Sequence, residues 1–208
     1  MLFKYEKNWP AAEVIATFEE GDPDENPWVH GKPKPEHIDV RDYDPQWHNW
    51  FEKLKADIAG ALSEQALAIE HVGSTAVPDL PAKPVIDIDL IVENPDDEAQ
   101  YVPALEQLGY QLTVRERSWY QHRMLRLNEP RVNLHVFAPN CPEHIRHILF
   151  RDWLITHNAD RELYGQAKLS AKEGVDNVQA YNMKKQAVVR EIYDRLFETY
   201  RLYQVNRI

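Results

Sequence analysis

Residues 70–92 read EHVGSTAVPDLPAKPVIDIDLIV, and their pattern decides the fold. The pair Gly73-Ser74 opens a loop punctuated by Pro78, Pro81 and Pro84, which leads into an apolar run carrying Asp87 and Asp89. Proline blocks a long helix in the loop. The run after it has strand character, and strand alternation places Val85, Asp87, Asp89 and Ile91 on one face. Ile86, Ile88, Leu90 and Val92 then form a wholly aliphatic opposite face. Burying an unpaired carboxylate costs several kcal/mol or shifts its pKa by roughly 2–5 units, and two on one face repel. A divalent cation would relieve both costs, and oxygen ligands favour Mg²⁺ or Mn²⁺. A buried network pairing the carboxylates with Lys83, His135 or Arg123 would also do so, and the residues alone leave both readings open.

Upstream, Ala66–Val72 reads as a short strand delivering the chain to the Gly-Ser turn. Asp44 followed by Pro45 supplies an N-cap and first-turn proline for a helix over 45–62. Trp47, Phe51, Leu54, Ile58 and Leu62 make its apolar face. Downstream, Asn94–Leu108 reads as a helix with an acidic start, stopped by Gly109. Strands are expected over 110–117, 123–127 and 131–138, with a turn at 128–130. Asn133 and His135 share a face of the last one, echoing the aspartate pair on what should be a neighbouring strand. From Pro142 the pattern turns helical, roughly 142–157, 159–173 and 177–203. The expected class is α/β (α+β): a mixed, largely antiparallel sheet of four to five strands flanked by helices, with a C-terminal helical bundle.

Residues 1–39 read as an accessory arm and 40–208 as the main domain, helical from about 142. In the arm a short helix is expected after Pro10, ending by Gly21, and then an extended acidic, proline-rich linker. Trp9, Phe18 and Trp28 are its candidate anchors. The 208 residues are 43% hydrophobic, enough for a real core, and the net charge is −10. That field repels polyanions and argues against non-specific nucleic-acid binding, while a local basic pocket could still hold a nucleotide. Cys141, the sole cysteine, excludes an intrachain disulfide and fits a reducing compartment. No apolar run approaches the roughly 20 residues of a membrane span, so a cytoplasmic protein is expected.

Apolar–Gly–Ser, a spacer, then Asp–apolar–Asp–apolar resembles the signature of the nucleotidyltransferase superfamily. The longer string HVGSTAVP…AKPVIDIDL looks like the GrpB family, whose fold is nucleotidyltransferase-like. The likeness continues in RDYDPQW (41–47), NLHVF (133–137), FRDWL (150–154) and AYNMKKQAVV (180–189). It implies phosphate or nucleotide binding by Gly73, Ser74 and Thr75, with Lys83, Arg123 and Lys168 as further phosphate ligands and Lys185 in the same helical region. Asp87 and Asp89 would be catalytic and hold a divalent metal, Mg²⁺ or Mn²⁺, with Zn²⁺ as a further option because His135 is an imidazole. Asn133 would support them. Active nucleotidyltransferases usually carry a third carboxylate where this chain offers Asn133 and His135. The family usually has glycine where this chain has Asp79.

His144 and His147 stand three apart without a third ligand in HIRHILF, and read as surface histidines. Arg151 and Asp152 could form a clasp between the two halves. The implied function is a metal-dependent nucleotidyltransferase or related phosphoryl-transfer enzyme acting on a small acceptor. The alternative is a catalytically idle nucleotide- or anion-binding module supporting a partner, since GrpB-like domains also occur joined to dephospho-CoA kinase. The implied partner is a nucleotide or other phosphate-bearing small molecule, with a protein partner or a second copy left open.

Overall fold

The structure is a computed structural model describing residues 9–32, 38–172 and 178–205, with backbone only for 178–179 and 200–205. Five strands form one sheet in the order β1-β2-β5-β4-β3. They are β1 (Ala68–Val72), β2 (Ile86–Ile91), β3 (Gln111–Glu116), β4 (His122–Leu127) and β5 (Val132–Phe137). β2 and β5 are parallel, and the other neighbours are antiparallel. The sheet is therefore mixed and flanked by helices, as the sequence pattern implies.

Helix α2 (Gln46–Leu62) follows the short helix α1 (Ala12–Ala16). Asp44 caps α2, its Oδ1 accepting the Gln46 amide at 2.9 Å. The five apolar residues expected on its inner face are all buried, against Ile86, Ile88, Leu90, Leu134 and Val136 of the sheet. At about 1.5–3 kcal/mol for each fully buried large aliphatic side chain, this face fixes the strand register. The aspartates are thereby left on the opposite face.

On that opposite face α4 (Pro142–Thr156) packs against β1, and α5 (Asn158–Ala171) and α6 (Val178–Val205) pack on α4 and on each other. Val77 and Leu80, from the loop before β2, are fully buried among Leu149, Tyr164 and Leu196 of these helices. The loop is thus pinned between the sheet and the helical unit. Arg151 adds a clasp, donating to Glu70 at 3.0 Å and to the His71 carbonyl at 2.9 Å. Cys141 is buried just before α4 and its thiol is pushed up to about 11 by desolvation, so it packs as a small apolar residue.

Two expectations are corrected. The helix over 94–108 shrinks to α3 (Val102–Gln107), preceded by a 3-10 turn at 98–100. Its acidic start is diverted: Glu98 binds Arg115 and Arg123, and Asp96 binds Arg123. In the arm, the helix stops at Ala16, where the Thr17 hydroxyl bonds the Glu13 carbonyl at 2.8 Å. The segment beyond is less detached than its composition suggests. Trp28 bridges Val114 at the sheet edge, and Glu25 accepts the amides of Arg117 and Ser118 at 2.8 and 3.0 Å. Phe18 packs edge-on to Tyr193 at 5.2 Å, and buried Arg146 donates to the carbonyls of Ile15 and Thr17 at 2.8 and 2.9 Å. The linker residues 33–37 lie outside the described residues. No helix among the described residues is long and apolar enough to cross a membrane.

Candidate functional site

Register builds the site. Asp87 lies opposite Asn133 and Asp89 opposite His135 in the parallel β2–β5 pair, so all four side chains rise from one face. Asp87, Asn133 and His135 are half-buried and open toward the helices, whereas Asp89 is sealed. Asn133 donates its amide to Asp87 Oδ1 at 2.9 Å. Desolvation raises the Asp87 carboxyl, against the opposing pull of Asn133, Lys83, His147 and Lys185.

Gly73 ends β1 with φ 68° and ψ −167°, a combination that essentially only glycine adopts. A Cβ there would stand 2.5 Å from Asp87 Oδ2. The glycine therefore lets the backbone cross directly over the Asp87 carboxylate. Ser74 is half-buried and begins a 3-10 turn, Ser74–Ala76, whose first N–H groups have no acceptor within the turn itself. Asp79 has φ 62°, the left-handed conformation that aspartate tolerates better than most residues, so the loop accommodates it.

Three lysines meet at this end of the sheet. Lys168 of α5 is almost wholly buried, donates to the Pro81 carbonyl at 2.8 Å and lies over the Tyr164 ring. Burial pushes its ammonium well below the usual lysine range, Lys185 and Lys83 push further, and Asp87 opposes them. Lys185 of α6 reaches the Tyr164 hydroxyl at 3.4 Å and lies 4.8 Å from the centre of the Tyr181 ring. Lys83 lies 5.5 Å from the same ring centre. Asp87 is the carboxylate that these cations share.

Asp89 has different company. Its Oδ2 accepts His144 Nδ1 at 2.8 Å and His147 Nδ1 at 2.9 Å, and its Oδ1 accepts His147 Nδ1 at 3.1 Å. Spaced three apart on α4, the two imidazoles share the inner face of that helix. They are not surface groups, which corrects the expectation from HIRHILF. Although burial would raise Asp89, these contacts hold it far below the usual carboxylate range. His147 also faces Glu143, Nε2 to Oε1 at 3.4 Å. Burial disfavours its charge, but the two carboxylates outweigh this and raise it well above the usual imidazole range.

His135 bonds neither aspartate. Its Nδ1 meets His122 Nε2 at 3.0 Å, and His122 Nδ1 meets Glu116 Oε2 at 2.7 Å. Desolvation, reinforced by His122, lowers His135 to about 3, so it is neutral.

Two expected phosphate ligands have their side chains engaged elsewhere. Thr75 is buried, its hydroxyl donating to the Val85 carbonyl at 3.2 Å and accepting from His71 Nε2 at 3.0 Å. Arg123 pairs with Val136 across β4–β5 and so points to the α2 face, away from Asp87. There its guanidinium is spent on Glu98 at 2.7 Å and on Asp96. Gly73, Ser74, Lys83, Lys168, Asp87, Asn133 and His135 come together. Lys185, His144 and His147 join them.

The expected magnesium-type centre can be tested on its donors. Mg²⁺ demands a near-octahedral shell of oxygens. Here both Asp89 oxygens face imidazole nitrogens, Asn133 turns its amide nitrogen to Asp87, and His135 belongs to a separate chain of bonds. Among the described residues no group of three or more His, Cys, Asp or Glu side chains is disposed to hold a metal ion. The arrangement does not fit a hard divalent cation shared by Asp87, Asp89 and His135.

Comparison with known proteins gives a consistent answer. The family model described as GrpB protein matches residues 37–195. A UPF0157 protein of Halalkalibacterium halodurans is 42% identical over 165 residues, spanning 79% of this chain and 85% of that protein. The crystal structure of the conserved protein GrpB from Enterococcus faecalis superposes with TM-score 0.68 at 30% identity, covering 78% of this chain and 99% of that one. A dephospho-CoA kinase of Mycolicibacterium paratuberculosis is 28% identical over 183 residues, spanning 74% of this chain but 45% of that protein. The chain belongs to the GrpB family.

Proposed function

We propose that the cleft between the sheet and the C-terminal helices binds a phosphate-bearing small molecule, a nucleotide in the first instance. The observation carrying this reading is the convergence of Lys83, Lys168 and Lys185 on Asp87 beside the Gly73-Ser74 turn. A chain of net charge −10 gathers three lysines in one cleft, one of them almost wholly buried where its charged form is disfavoured. Burying an ammonium is costly without a compensating anion. A phosphate entering here would supply that charge, and the turn offers it backbone amides. The likeness of the Gly-Ser and Asp-x-Asp strings to nucleotidyltransferases supports a nucleotide over other phosphates. The partial match to dephospho-CoA kinase supports a module that can serve beside a partner enzyme.

A second reading keeps a transfer reaction in the same cleft. The two carboxylates are pushed in opposite directions, Asp87 up by desolvation and Asp89 down by its histidines. Asp87 is thus the group suited to take a proton from an acceptor hydroxyl, while Asp89 stays an anchor.

The test is a thermal-shift screen of ATP, GTP, CTP, UTP and inorganic pyrophosphate, repeated on Lys185→Ala. The wild type should be stabilised by at least one of them. A charge-assisted contact is worth about 1.5–3 kcal/mol, so the variant should bind roughly 10–100-fold more weakly. Absence of any shift at millimolar concentrations would overturn the reading.

A further inference from the structure

We propose that His147, clamped between Asp89 and Glu143, does the work a divalent metal would do for this carboxylate pair, so that phosphate binds in the cleft without a metal. The inference rests on the phosphate-binding reading above. In a metal-dependent site of this kind the ion has two jobs: neutralising carboxylates on one strand face and screening the bound phosphates. Here both jobs are assigned to side chains.

The first falls to α4. Both ring nitrogens of His147 face carboxylate oxygens, Asp89 at 2.9 and 3.1 Å and Glu143 at 3.4 Å. An imidazole with an acceptor at each nitrogen satisfies both only by donating from both, as the imidazolium. Asp89, which has no exposed surface, thereby receives a fixed positive charge that α4 carries to it. Glu143 is itself neutralised by buried Arg146, which donates to it at 2.5 and 2.8 Å. The α4 cluster is therefore self-contained and leaves Asp89 little attraction for an added cation. The second job falls to Lys83, Lys168 and Lys185. His147 also lies within electrostatic reach of Asp87, with its side chain 26% exposed, so it forms part of the cleft wall rather than a remote prop.

The test is calorimetric titration of inorganic pyrophosphate into the full chain, in EDTA and again with Mg²⁺, Mn²⁺ or Zn²⁺ in excess. For the wild type, binding should survive EDTA, and added metal should strengthen it by no more than about threefold. His147→Gln removes the charge but keeps a donor to Asp89. It should lose at least about tenfold in affinity in EDTA and recover much of it when metal is restored, because Asp89 again needs a cation. His147→Lys should keep metal-free binding. A merely structural role for His147 would produce no metal rescue. Wild-type binding that appears only with metal would overturn the inference and leave the phosphate reading standing. Unaltered metal-free binding by a folded His147→Gln would overturn the role given to His147. Failure to bind pyrophosphate or any nucleotide under either condition would sink the phosphate reading, and this inference with it. The wild-type comparison needs no variant, so the inference stays testable even where a substitution prevents folding.

Discussion

Replacing Gly73 by alanine should be among the most damaging single-methyl changes in this protein. The backbone there has φ 68° and ψ −167°, where a side chain costs of order 1–3 kcal/mol in strain. The new Cβ would also lie 2.5 Å from Asp87 Oδ2 and 2.9 Å from Asp87 Cβ. Relieving that overlap requires Asp87 to leave its bond with Asn133 or β1 to part from β2, an overpacking cost of about 1–3 kcal/mol. The sum is roughly 2–6 kcal/mol. For a chain of this size that corresponds to a fall in Tm of about 5–20 °C. Chemical denaturation of wild type, Gly73→Ala, Asp87→Ala and the double variant separates the two terms. The part of the clash that comes from the carboxylate should disappear when Asp87 is shortened, giving a coupling of about 1–3 kcal/mol, while the 2.9 Å contact with Cβ at position 87 and the backbone strain should persist. A Gly73→Ala protein within about 0.5 kcal/mol of wild type would refute the reasoning.

Other expectations follow from the same geometry. Thr75→Val should cost about 1–3 kcal/mol in urea unfolding, because it strands His71 Nε2 and the Val85 carbonyl. Arg123→Ala should lose about 1.5–3 kcal/mol, because Glu98 keeps Arg115 and Asp96 is partly exposed, yet leave pyrophosphate affinity unchanged, since it lies on the other face. Stability should fall as pH drops below about 6.5. His71, stacked on Phe51, is lowered by burial to about 3, so below 6.5 the unfolded chain binds a proton that the folded chain refuses. The slope is about 1.4 kcal/mol per pH unit from this residue. His135 acts in the same direction. Unfolding at pH 7 and pH 5 should show the loss, and His71→Gln should flatten it. His147 runs the other way, since its raised pKa gives stability that is full below 6.5 and is lost as pH rises through the folded value. Asp89 and Glu143, both held low, contribute in full above about pH 4 and lose that contribution progressively as pH falls from there toward their folded values.

The face shared by Asp87 and Asp89 could be read from the sequence because strand periodicity is two and one face of IDIDLIV is wholly aliphatic. The matching pair Asn133 and His135 came from the same rule. Arg123 could not be placed that way. Its face depends on the β4–β5 register, which no local pattern reports, and the Glu98 and Asp96 that claim it lie far back in the chain. His144 and His147 looked like surface residues because a helix pattern tells which residues share a face but not what that face meets. Their partner, Asp89, precedes them by more than fifty residues. A hint was available: both fall on the side of α4 that also carries Arg151, a residue needing a partner. The 94–108 helix failed because carboxylates that could favour a helix start were claimed instead by arginines of β3 and β4.

The proposal places an anion beside Asp87 among Lys83, Lys168 and Lys185. A crystal structure of this chain grown with the nucleotide that stabilises it most, or with pyrophosphate, tests that claim most directly. Phosphate oxygens should lie within hydrogen-bonding reach of Lys185, Lys83 and the Ser74 amide, with His147 still on Asp89 and its ring turned as it is here. Phosphate bound on another face, or a cleft whose lysines fold away from a fully occupied ligand, would contradict it.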